Sequence, residues 1–532
     1  MKTLDLIKIT GVAVLCGLAT SGARLAMGGA PPALFFDLRH VDRGLVDATL
    51  DPAKLSAADL EGMKNMEKEW DIFADLSGHG MKRVKLAFGV RFTIEKAQKT
   101  EPWLRADRPW ERGVGGYITV LKEGGKYRCW YQSVLTEAAR AELFPPEAGA
   151  GSSDRILAYA ESDDGVLWRK PALDVYRVGG KATNLITHPT RESSIFRDES
   201  APPAERYKCF DLDELPNSEG KSPFLSNGLY GCVSPDGIHW SRLPEPLLPY
   251  LHDTHNVGAW DPELQKYVGY FRGHLDGRAI ARSETDDFRK WPPAEVILCP
   301  GPEDSPFDDY YTNCFTTYPD DPSLRLLFPA IYHHDTDEVD VRVAISRNNR
   351  AWNWISREPI IEVGRPGAWD SGTIYAGPNL VHLPDGRLAL PFSGVQKTHN
   401  EGYPYKVDSP PRPRELAWAT WDDGRLAGLE ARERGEFWTQ KLGRFEGTQI
   451  EINARTRRNG RVEVALHEQR GRKGTRPLPG YTFADGVPFS GDEVWKSLEW
   501  KNKKDLSELR GKKLILHFRL TAAKVFACRF VE

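Results

Sequence analysis

One motif recurs five times in this chain: a strand-like run, then a turn and, in four copies, a tryptophan. The copies read ILAYAESDDGVLW, LYGCVSPDGIHW, AIARSETDDFRKW, VRVAISRNNRAWNW and LAWATWDDGRLAGL, and they end at Trp168, Trp240, Trp291, Trp354 and Leu429. A pair of strand-like runs and a variable insert precede the motif in each copy. Repetition of this kind indicates a fold assembled from one recurring supersecondary unit.

Each repeat predicts three or four antiparallel strands. The paired runs alternate apolar and polar residues and are joined by turns, as in NLVHLPDGRLALPFSG and NVGAWDPELQKYVGYFRG. Such units, repeated around an axis, form the blades of a β-propeller. The sequence therefore predicts an all-β protein, with a five-bladed β-propeller over residues 110–442.

Composition restricts the class of partner. The 532 residues carry a net charge of −3, so no basic field indicates nucleic acid. The chain has 16 Trp and 18 Tyr, rings that suit packed sheets and sugar-binding surfaces alike. We expect a carbohydrate partner and no nucleic acid, and the sequence does not determine the oligomeric state.

The first 23 residues resemble an export signal. Lys2 and Lys8 precede the apolar run ITGVAVLCGLA, and Ser21 and Ala23 fit a small-x-small cleavage site. A membrane anchor is the alternative, but the run is shorter than the ~20 apolar residues that a span requires. We therefore expect a secreted or periplasmic protein with no membrane span.

Two further regions flank the predicted propeller. Residues 24–109 form an N-terminal segment with one helix, SAADLEGMKNMEKEWDIFADL, for which Ser56 is the N-cap. Residues 443–532 contain at least four alternating runs without the repeat motif, which predicts a C-terminal β-sandwich. Packing against the propeller and glycan binding both remain open as its role.

Six cysteines remain after the predicted signal, most of them inside strand-like runs such as YRCWYQ and YGCVS. They show no C-x-x-C spacing, so they do not predict a metal site. Buried free thiols are the preferred interpretation, with one disulfide as the alternative.

Propeller geometry selects candidate catalytic residues, because the residues that lead into the first strand of every blade converge at one mouth of the central channel. A carboxylate stands before that strand in all five repeats: Glu111, Glu192, Asp253, Asp309 and Asp370. We predict Glu111, Asp253, Asp309 and Asp370 as catalytic. Substrate-binding side chains are expected at Glu192, Arg197, Asp198, His255, Arg272, His274, Tyr310, Trp369 and His399.

Carboxylates clustered with aromatic and histidine side chains suit glycoside cleavage. One carboxylic acid protonates the leaving oxygen, and a second carboxylate attacks the anomeric carbon or activates water. His333 and His334 are adjacent and lack the i,i+4 spacing of helical zinc ligands, so we predict neither metal nor cofactor. The turn carboxylates at Asp164 and Asp236 are predicted to be structural.

The stretches DRPWE, SIFRDESAPPAERYKCF, AWDPELQKYVGYFRG, WDSGTIYAGP and GKKLILHFRL give the chain a family resemblance. It resembles the five-bladed-propeller glycoside hydrolases, which include invertase/levanase-type and arabinanase-type enzymes, and among them an exported bacterial group. The resemblance implies a propeller followed by a sandwich, and catalytic carboxylates at Glu111, at Asp198 or Glu192, and at Asp253. The invertase-type Asn-Asp-Pro-Asn-Gly motif is absent, so fructan specificity is not implied.

Three other functions remain open. Arg191, Arg197 and Arg272 suit a phosphate pocket, as in a propeller glycoside phosphorylase. Tyr310 and Tyr311 suit a sialidase-like enzyme with a tyrosine nucleophile. A non-catalytic glycan-binding propeller would need the aromatic rings but no carboxylate chemistry.

Overall fold

The computed structural model describes residues 32–36, 89–145, 154–187, 194–216, 219–400, 412–439, 442–470, 474–501 and 503–532. The predicted signal peptide, the predicted helix after Ser56, and Glu192 lie outside these residues. Most elements of the described chain are strands, which confirms the predicted all-β class. Its α-helices are α1 (Glu137–Leu143) and α2 (Pro223–Ser226), with 3-10 turns at Pro203–Glu205 and Ser507–Leu509. None of the described helices combines the length and apolar character needed to cross a membrane.

Short strands of the N-terminal segment complete sheets formed by distant parts of the chain. They are β1 (Ala33–Leu34), β2 (Arg91–Ile94) and β3 (Gln98–Lys99). The first repeat then forms a five-stranded sheet in the order β10-β6-β5-β4, with β7 paired to β6 and a separate β8-β9 hairpin. Its strands are β4 (Glu111–Glu123), β5 (Lys126–Leu135), β6 (Arg155–Ser162), β7 (Trp168–Arg169), β8 (Arg177–Val178), β9 (Lys181–Ala182) and β10 (Leu185–Thr187).

Repeats two and three are antiparallel four-stranded meanders in sequence order. The second contains β11 (Phe196–Arg197), β12 (Tyr207–Glu214), β13 (Asn227–Ser234) and β14 (Ser241–Leu248). The third contains β15 (Val257–Asp261), β16 (Lys266–His274), β17 (Arg278–Thr285) and β18 (Glu295–Leu298).

Repeats four and five share one hydrogen-bonded sheet. The fourth contains β19 (Asp308–Tyr310), β20 (Phe315–Tyr318), β21 (Asp321–Leu327), β22 (Ala330–His333), β23 (Val339–Ser346) and β24 (Asn353–Ile361). The fifth contains β25 (Thr373–Ala376), β26 (Val381–His382), β27 (Leu388–Val395) and β28 (Glu415–Trp421). Its outermost strand is β3, which comes from the N-terminal segment and pairs Lys99 with Ala419.

The five repeats contact one another in succession, and the fifth contacts the first. Successive contacts are Ile195 N to Thr119 Oγ1 (3.1 Å), Ser194 N to Asn256 O (3.1 Å), Asn313 Nδ2 to His255 O (3.0 Å), the pairing of Val339 with Thr373, and Ser393 Oγ to Gly116 O (2.6 Å). In repeats two to four, these contacts are made by residues next to the first strands.

The repeated turn also joins neighbouring repeats. Asp164 Oδ1 accepts hydrogen bonds from the backbone N–H groups of Val166 and Leu167, and Gly165 adopts a φ of +75°. The Gly165 carbonyl accepts the indole N–H of Trp418 from the fifth repeat at 2.8 Å. Asp236 and Gly237 form the same turn in the second repeat. These contacts account for the spacing shared by the first two repeats by local hydrogen bonding, and they give Asp164 a structural role.

The C-terminal strands form a seven-stranded sheet in the order β2-β29-β33-β30-β31, with β1 paired to β33 and β32 to β30. They are β29 (Ala427–Trp438), β30 (Gln449–Arg470), β31 (Gly474–Pro477), β32 (Asp492–Ser497) and β33 (Leu514–Val531). The C-terminal part of this sheet starts with β29 at Ala427, shortly after β28 of the fifth repeat, whereas the sequence predicts the C-terminal domain from residue 443. The pairing of β30 with β33 shifts register between Thr456 and Arg461.

All six cysteines of the described chain are free, and five of them are buried. This confirms the preferred interpretation of buried thiols. Burial of Cys129 and Cys314 inside strand-packed cores raises the pKa of both thiols, which keeps them protonated at neutral pH.

Candidate functional site

Aromatic rings from four repeats meet where the first strands begin. The Tyr117 ring lies 4.8 Å from the His255 ring, nearly parallel to it, and 5.7 Å from the Tyr375 ring. The Tyr311 ring stacks on Tyr375 at 5.7 Å. We call these residues, together with Tyr332 and His399 beside them, the central cluster.

A bulge in β4 brings Tyr117 to this position. The pairing of β4 with β5 shifts register between Val114 and Ile118. Gly116 lies inside the bulge, and a Cβ atom there would approach the Tyr375 ring to 2.9 Å. Glycine therefore permits the close approach of the first and fifth repeats that forms the cluster.

Three guanidinium groups surround the stacked tyrosines. Arg272 donates a hydrogen bond to the Tyr311 carbonyl at 2.8 Å, and its guanidinium lies 4.6 Å from the centre of the Tyr311 ring. Arg278 lies 5.2 Å from the same ring. Arg414 lies 5.2 Å from the Tyr375 ring and donates to Ser393 Oγ at 3.2 Å.

Asp309 is the buried carboxylate of the site. Its Oδ1 accepts the backbone N–H of Arg278 at 2.9 Å, and its Oδ2 contacts the Arg278 guanidinium at 2.7 Å and His334 Nε2 at 2.9 Å. Burial acts to raise its pKa, but these hydrogen bonds hold the pKa of Asp309 below its ordinary value. Asp309 is therefore ionised at neutral pH.

Asp253 is the exposed carboxylate of the site, and its side chain has no ion pair or hydrogen bond within the described residues. Burial raises the pKa of Tyr311, the Arg272 charge opposes this, and the Asp253 charge adds to it. The Asp253 charge also acts on His399. This carboxylate is available to a ligand, unlike Asp309.

His399 connects the fifth repeat to the fourth. Its Nδ1 lies 3.1 Å from the Tyr375 hydroxyl, and its ring lies 4.5 Å from Tyr311 and 4.4 Å from Tyr332. Burial and the Arg278 charge lower the pKa of His399. The imidazole is thus neutral at pH 7. His274 is exposed, and its pKa is lowered by its limited burial and by Arg272 and Arg278.

Glu111 lies away from the central cluster. It is the first residue of β4, six positions before Tyr117, and it is buried among residues of its own repeat. Its carboxylate accepts from the Tyr131 hydroxyl at 2.7 Å and from Lys170 Nζ at 2.6 Å. The first strand is longer than the sequence suggested, so its leading carboxylate does not reach the cluster.

Asp198 and Arg197 lie between repeats rather than at the cluster. Asp198 is fully buried and accepts from the Tyr267 hydroxyl at 2.6 Å, from Ser200, and from Lys208 at 3.4 Å. Arg197 pairs with Glu199 and Glu123. Both residues hold the second repeat against its neighbours.

Asp370, Trp369 and Tyr310 are also engaged elsewhere. Asp370 is buried and bonded to Lys99 of β3. The Trp369 ring stacks on Phe392 at 5.6 Å, within the apolar core. Tyr310 donates to Asp304 Oδ2 at 2.7 Å on the face opposite Tyr311, because successive side chains of a strand point to opposite faces.

The central cluster and the arginines around it include residues that the sequence prediction missed: Tyr117, Arg278, Tyr332, Tyr375 and Arg414. Tyr117 and Tyr375 lie in the first strands GGYITV and GTIYAG, so a tyrosine in the first strand of two repeats was an available signal. Arg278 and Arg414 gave no such signal, since no repeated sequence pattern marks their positions.

Within the described chain, one group of side chains brings three potential metal ligands together: Asp320, His382 and Asp423. It lies at the end of β27 opposite the central cluster, because His382 pairs with Leu388 whereas Thr373 pairs with Val395. His382 Nε2 contacts Asp320 at 2.8 Å, and Trp495 donates to Asp423 at 3.1 Å. Each of the three side chains therefore already has a hydrogen-bond partner within the protein.

A pH dependence of stability is expected from His333. It contacts Asp308 at 2.7 Å and Asp340 at 3.1 Å; burial opposes its protonation, but these carboxylates raise the pKa of His333 to about 10. Because the pKa of His333 in the folded protein exceeds the ordinary value of 6.5, protonated His333 stabilises the fold fully below pH 6.5. This stabilisation is lost as the pH rises toward 10. The unfolding temperature of the wild type should therefore fall more across this interval than that of His333→Gln. Parallel curves for the two proteins would contradict this assignment.

No family model matches the chain, and no curated protein matches it. Among solved structures, the chain is similar to a protein described as a glycoside hydrolase, at 11% identity over 61% of this chain and 92% of that chain, with a TM-score of 0.42. It is similar to a glycosyl hydrolase from Bacteroides ovatus at 13% identity, over 63% and 94% of the two chains, with a TM-score of 0.41. It is also similar to an alpha-L-arabinofuranosidase from Podospora anserina at 13% identity, over 62% and 98%, with a TM-score of 0.38.

Proposed function

We propose that this protein is an exported glycoside hydrolase whose active site is the central cluster. The observation that carries the proposal is the convergence of Tyr117, His255, Tyr311 and Tyr375 from four repeats beside an exposed carboxylate, Asp253. Aromatic faces and flanking polar groups match the alternating apolar and hydroxylated faces of a sugar ring. Export is supported by the N-terminal run between Lys2 and Ala23.

The proposed scaffold is a five-bladed β-propeller joined to a C-terminal β-sandwich. The contact of Ser393 with Gly116 between the last and first repeats supports ring closure. The N-terminal strand β3 would complete the fifth blade and so fasten the two ends of the ring. A propeller of this kind would place the central cluster at its central channel.

Asp253 and Asp309 have different proposed roles. Asp253 is exposed and has no protein partner among the described residues, so it is the candidate for proton transfer to the glycosidic oxygen or from water. Asp309 is held ionised by Arg278 and His334, and it would stabilise the positive charge that develops on the sugar ring in the transition state. His399 would hold a sugar hydroxyl as a neutral imidazole.

The test is a panel of poly- and oligosaccharides, run with and without inorganic phosphate, with detection of newly formed reducing ends for hydrolysis and of sugar 1-phosphate for phosphorolysis, which forms no new reducing end. The proposal expects reducing ends to form without phosphate. Product that forms only with phosphate would instead establish a glycoside phosphorylase, the second candidate, which the arginines around Tyr375 favour. Binding of a glycan without any product would indicate a glycan-binding propeller.

A further inference from the structure

Arg272 and Arg414 lack a carboxylate partner within the described part of the chain. Arg272 is 7% exposed, donates to the Tyr311 carbonyl, and leaves its Nε without an acceptor. Arg414 is partly buried and donates to Ser393 Oγ. A guanidinium withdrawn from water without a counter-charge is costly, since its hydration is lost and no ion pair replaces it.

The other fully buried arginines of the described residues are matched by carboxylates. Arg325 contacts Asp261, and Arg342 contacts Asp304 and Asp308. Arg278, the third arginine of the site, is neutralised by Asp309. Among the fully buried arginines of the described residues, Arg272 therefore differs from the others in having no carboxylate partner.

The unmatched groups reach the same pair of stacked rings from different repeats. Arg272 of the third repeat lies 4.6 Å from the Tyr311 ring, and Arg414 of the fifth lies 5.2 Å from the Tyr375 ring. The positive charge of Arg155 acts on Arg414 as well. Arg272 and Arg414 thus flank the aromatic surface on which a sugar would stack, and Asp253 is the exposed carboxylate that acts on the same surface.

We propose that the ligand of the central cluster carries an anionic oxygen group, which Arg272 and Arg414 bind, and that the substrate is a carboxylated sugar such as a uronic or sialic acid. This inference rests on the proposed function, since it assigns the substrate class of the same site. Planar guanidinium groups match the two oxygens of a carboxylate, and they match phosphate equally well. Free phosphate is therefore the other possible source of the anion.

The experiment is isothermal titration calorimetry, which measures the affinity of the full chain for methyl glucuronide, N-acetylneuraminic acid, the neutral methyl glucoside and inorganic phosphate. We expect an acidic sugar to bind at least about tenfold more tightly than the neutral glycoside. Arg272→Gln and Arg414→Gln should lower this affinity by about tenfold or more without changing that for the neutral glycoside. Arg350→Gln, an exposed arginine that pairs with Glu284, is the matched control and should bind as the wild type does.

Equal affinity for acidic and neutral sugars would overturn the proposal, as would unchanged affinity in both arginine variants. Phosphate binding that the variants lose, without binding of either acidic sugar, would support the anion site but overturn the acidic-sugar assignment. Arg272→Lys keeps the charge and removes the planar fork, and it replaces Arg272→Gln if that variant does not fold. Asp253→Asn should still bind the acidic sugar, so a failure of hydrolysis is distinguishable from a failure of anion recognition.

Discussion

Replacement of Asp253 by asparagine is expected to lower turnover on an established substrate by about 10²–10⁴-fold, the usual cost of losing a general acid or base. The variant should fold normally, because this exposed side chain forms no ion pair or hydrogen bond within the described residues. Steady-state kinetics together with circular dichroism measure the two effects separately. Full turnover by a folded Asp253→Asn protein would move the proton-transfer role to another residue.

Amide replacements of two other carboxylates serve as controls for Asp253→Asn. Asp286→Asn removes an exposed turn charge from the third repeat and should leave turnover unchanged. Asp370→Asn removes the partner of Lys99 between the fifth repeat and β3, so it should lower the unfolding temperature more than it lowers turnover. Loss of turnover in Asp370→Asn comparable to that of Asp253→Asn would return Asp370 to the active site.

Replacement of Arg325 by methionine is expected to destabilise the protein by about 3–5 kcal/mol, the range for breaking a buried ion pair. Arg325 is 2% exposed and holds Asp261 of the third repeat through two hydrogen bonds of 2.9 Å. Without it, Asp261 stays buried between the third and fourth repeats with its charge uncompensated. Denaturant unfolding followed by tryptophan fluorescence measures the loss.

The double variant Asp261→Asn, Arg325→Met shows whether an uncompensated charge or lost packing causes the destabilisation of Arg325→Met. Removing both charges should recover part of the stability that Arg325→Met loses, because no uncompensated carboxylate remains. If the double variant is less stable than Arg325→Met, the cost comes from lost packing and hydrogen bonds rather than from the buried charge. Arg350→Met, at an exposed position, should lie close to the wild type.

Much of the strand organisation followed from the sequence, because strand alternation and turn chemistry are local. The runs that end at Trp168, Trp240 and Trp291 correspond to third strands followed by turns, in which Asp164 and Asp236 bond to nearby backbone N–H groups. Free cysteines inside strands such as YRCWYQ were predicted for the same reason, since alternation places Cys129 on a buried face. These features require only neighbouring residues.

The convergence of the first strands was also predicted in part. His255, Arg272, His399, Asp253 and Asp309 lie at or beside the central cluster, as the positions that lead into or return from these strands suggested. Their catalytic and binding roles stay predictions. Their positions within the repeats were enough to predict that they lie near one another, because repeats place equivalent positions at the same end of successive sheets.

Tertiary structure alone decided which of the candidates face the cluster and which support the scaffold. Tyr311 rather than Tyr310 reaches it because of strand pairing, Glu111 stops short of it because β4 starts early, and Asp370 is held by Lys99 of a strand that is distant in sequence. The completion of the fifth repeat by β3 is likewise a pairing of residues more than three hundred positions apart. Local sequence determined the strands and turns of this protein, whereas ion pairs and register between distant segments determined the site, since those depend on partners that no local pattern specifies.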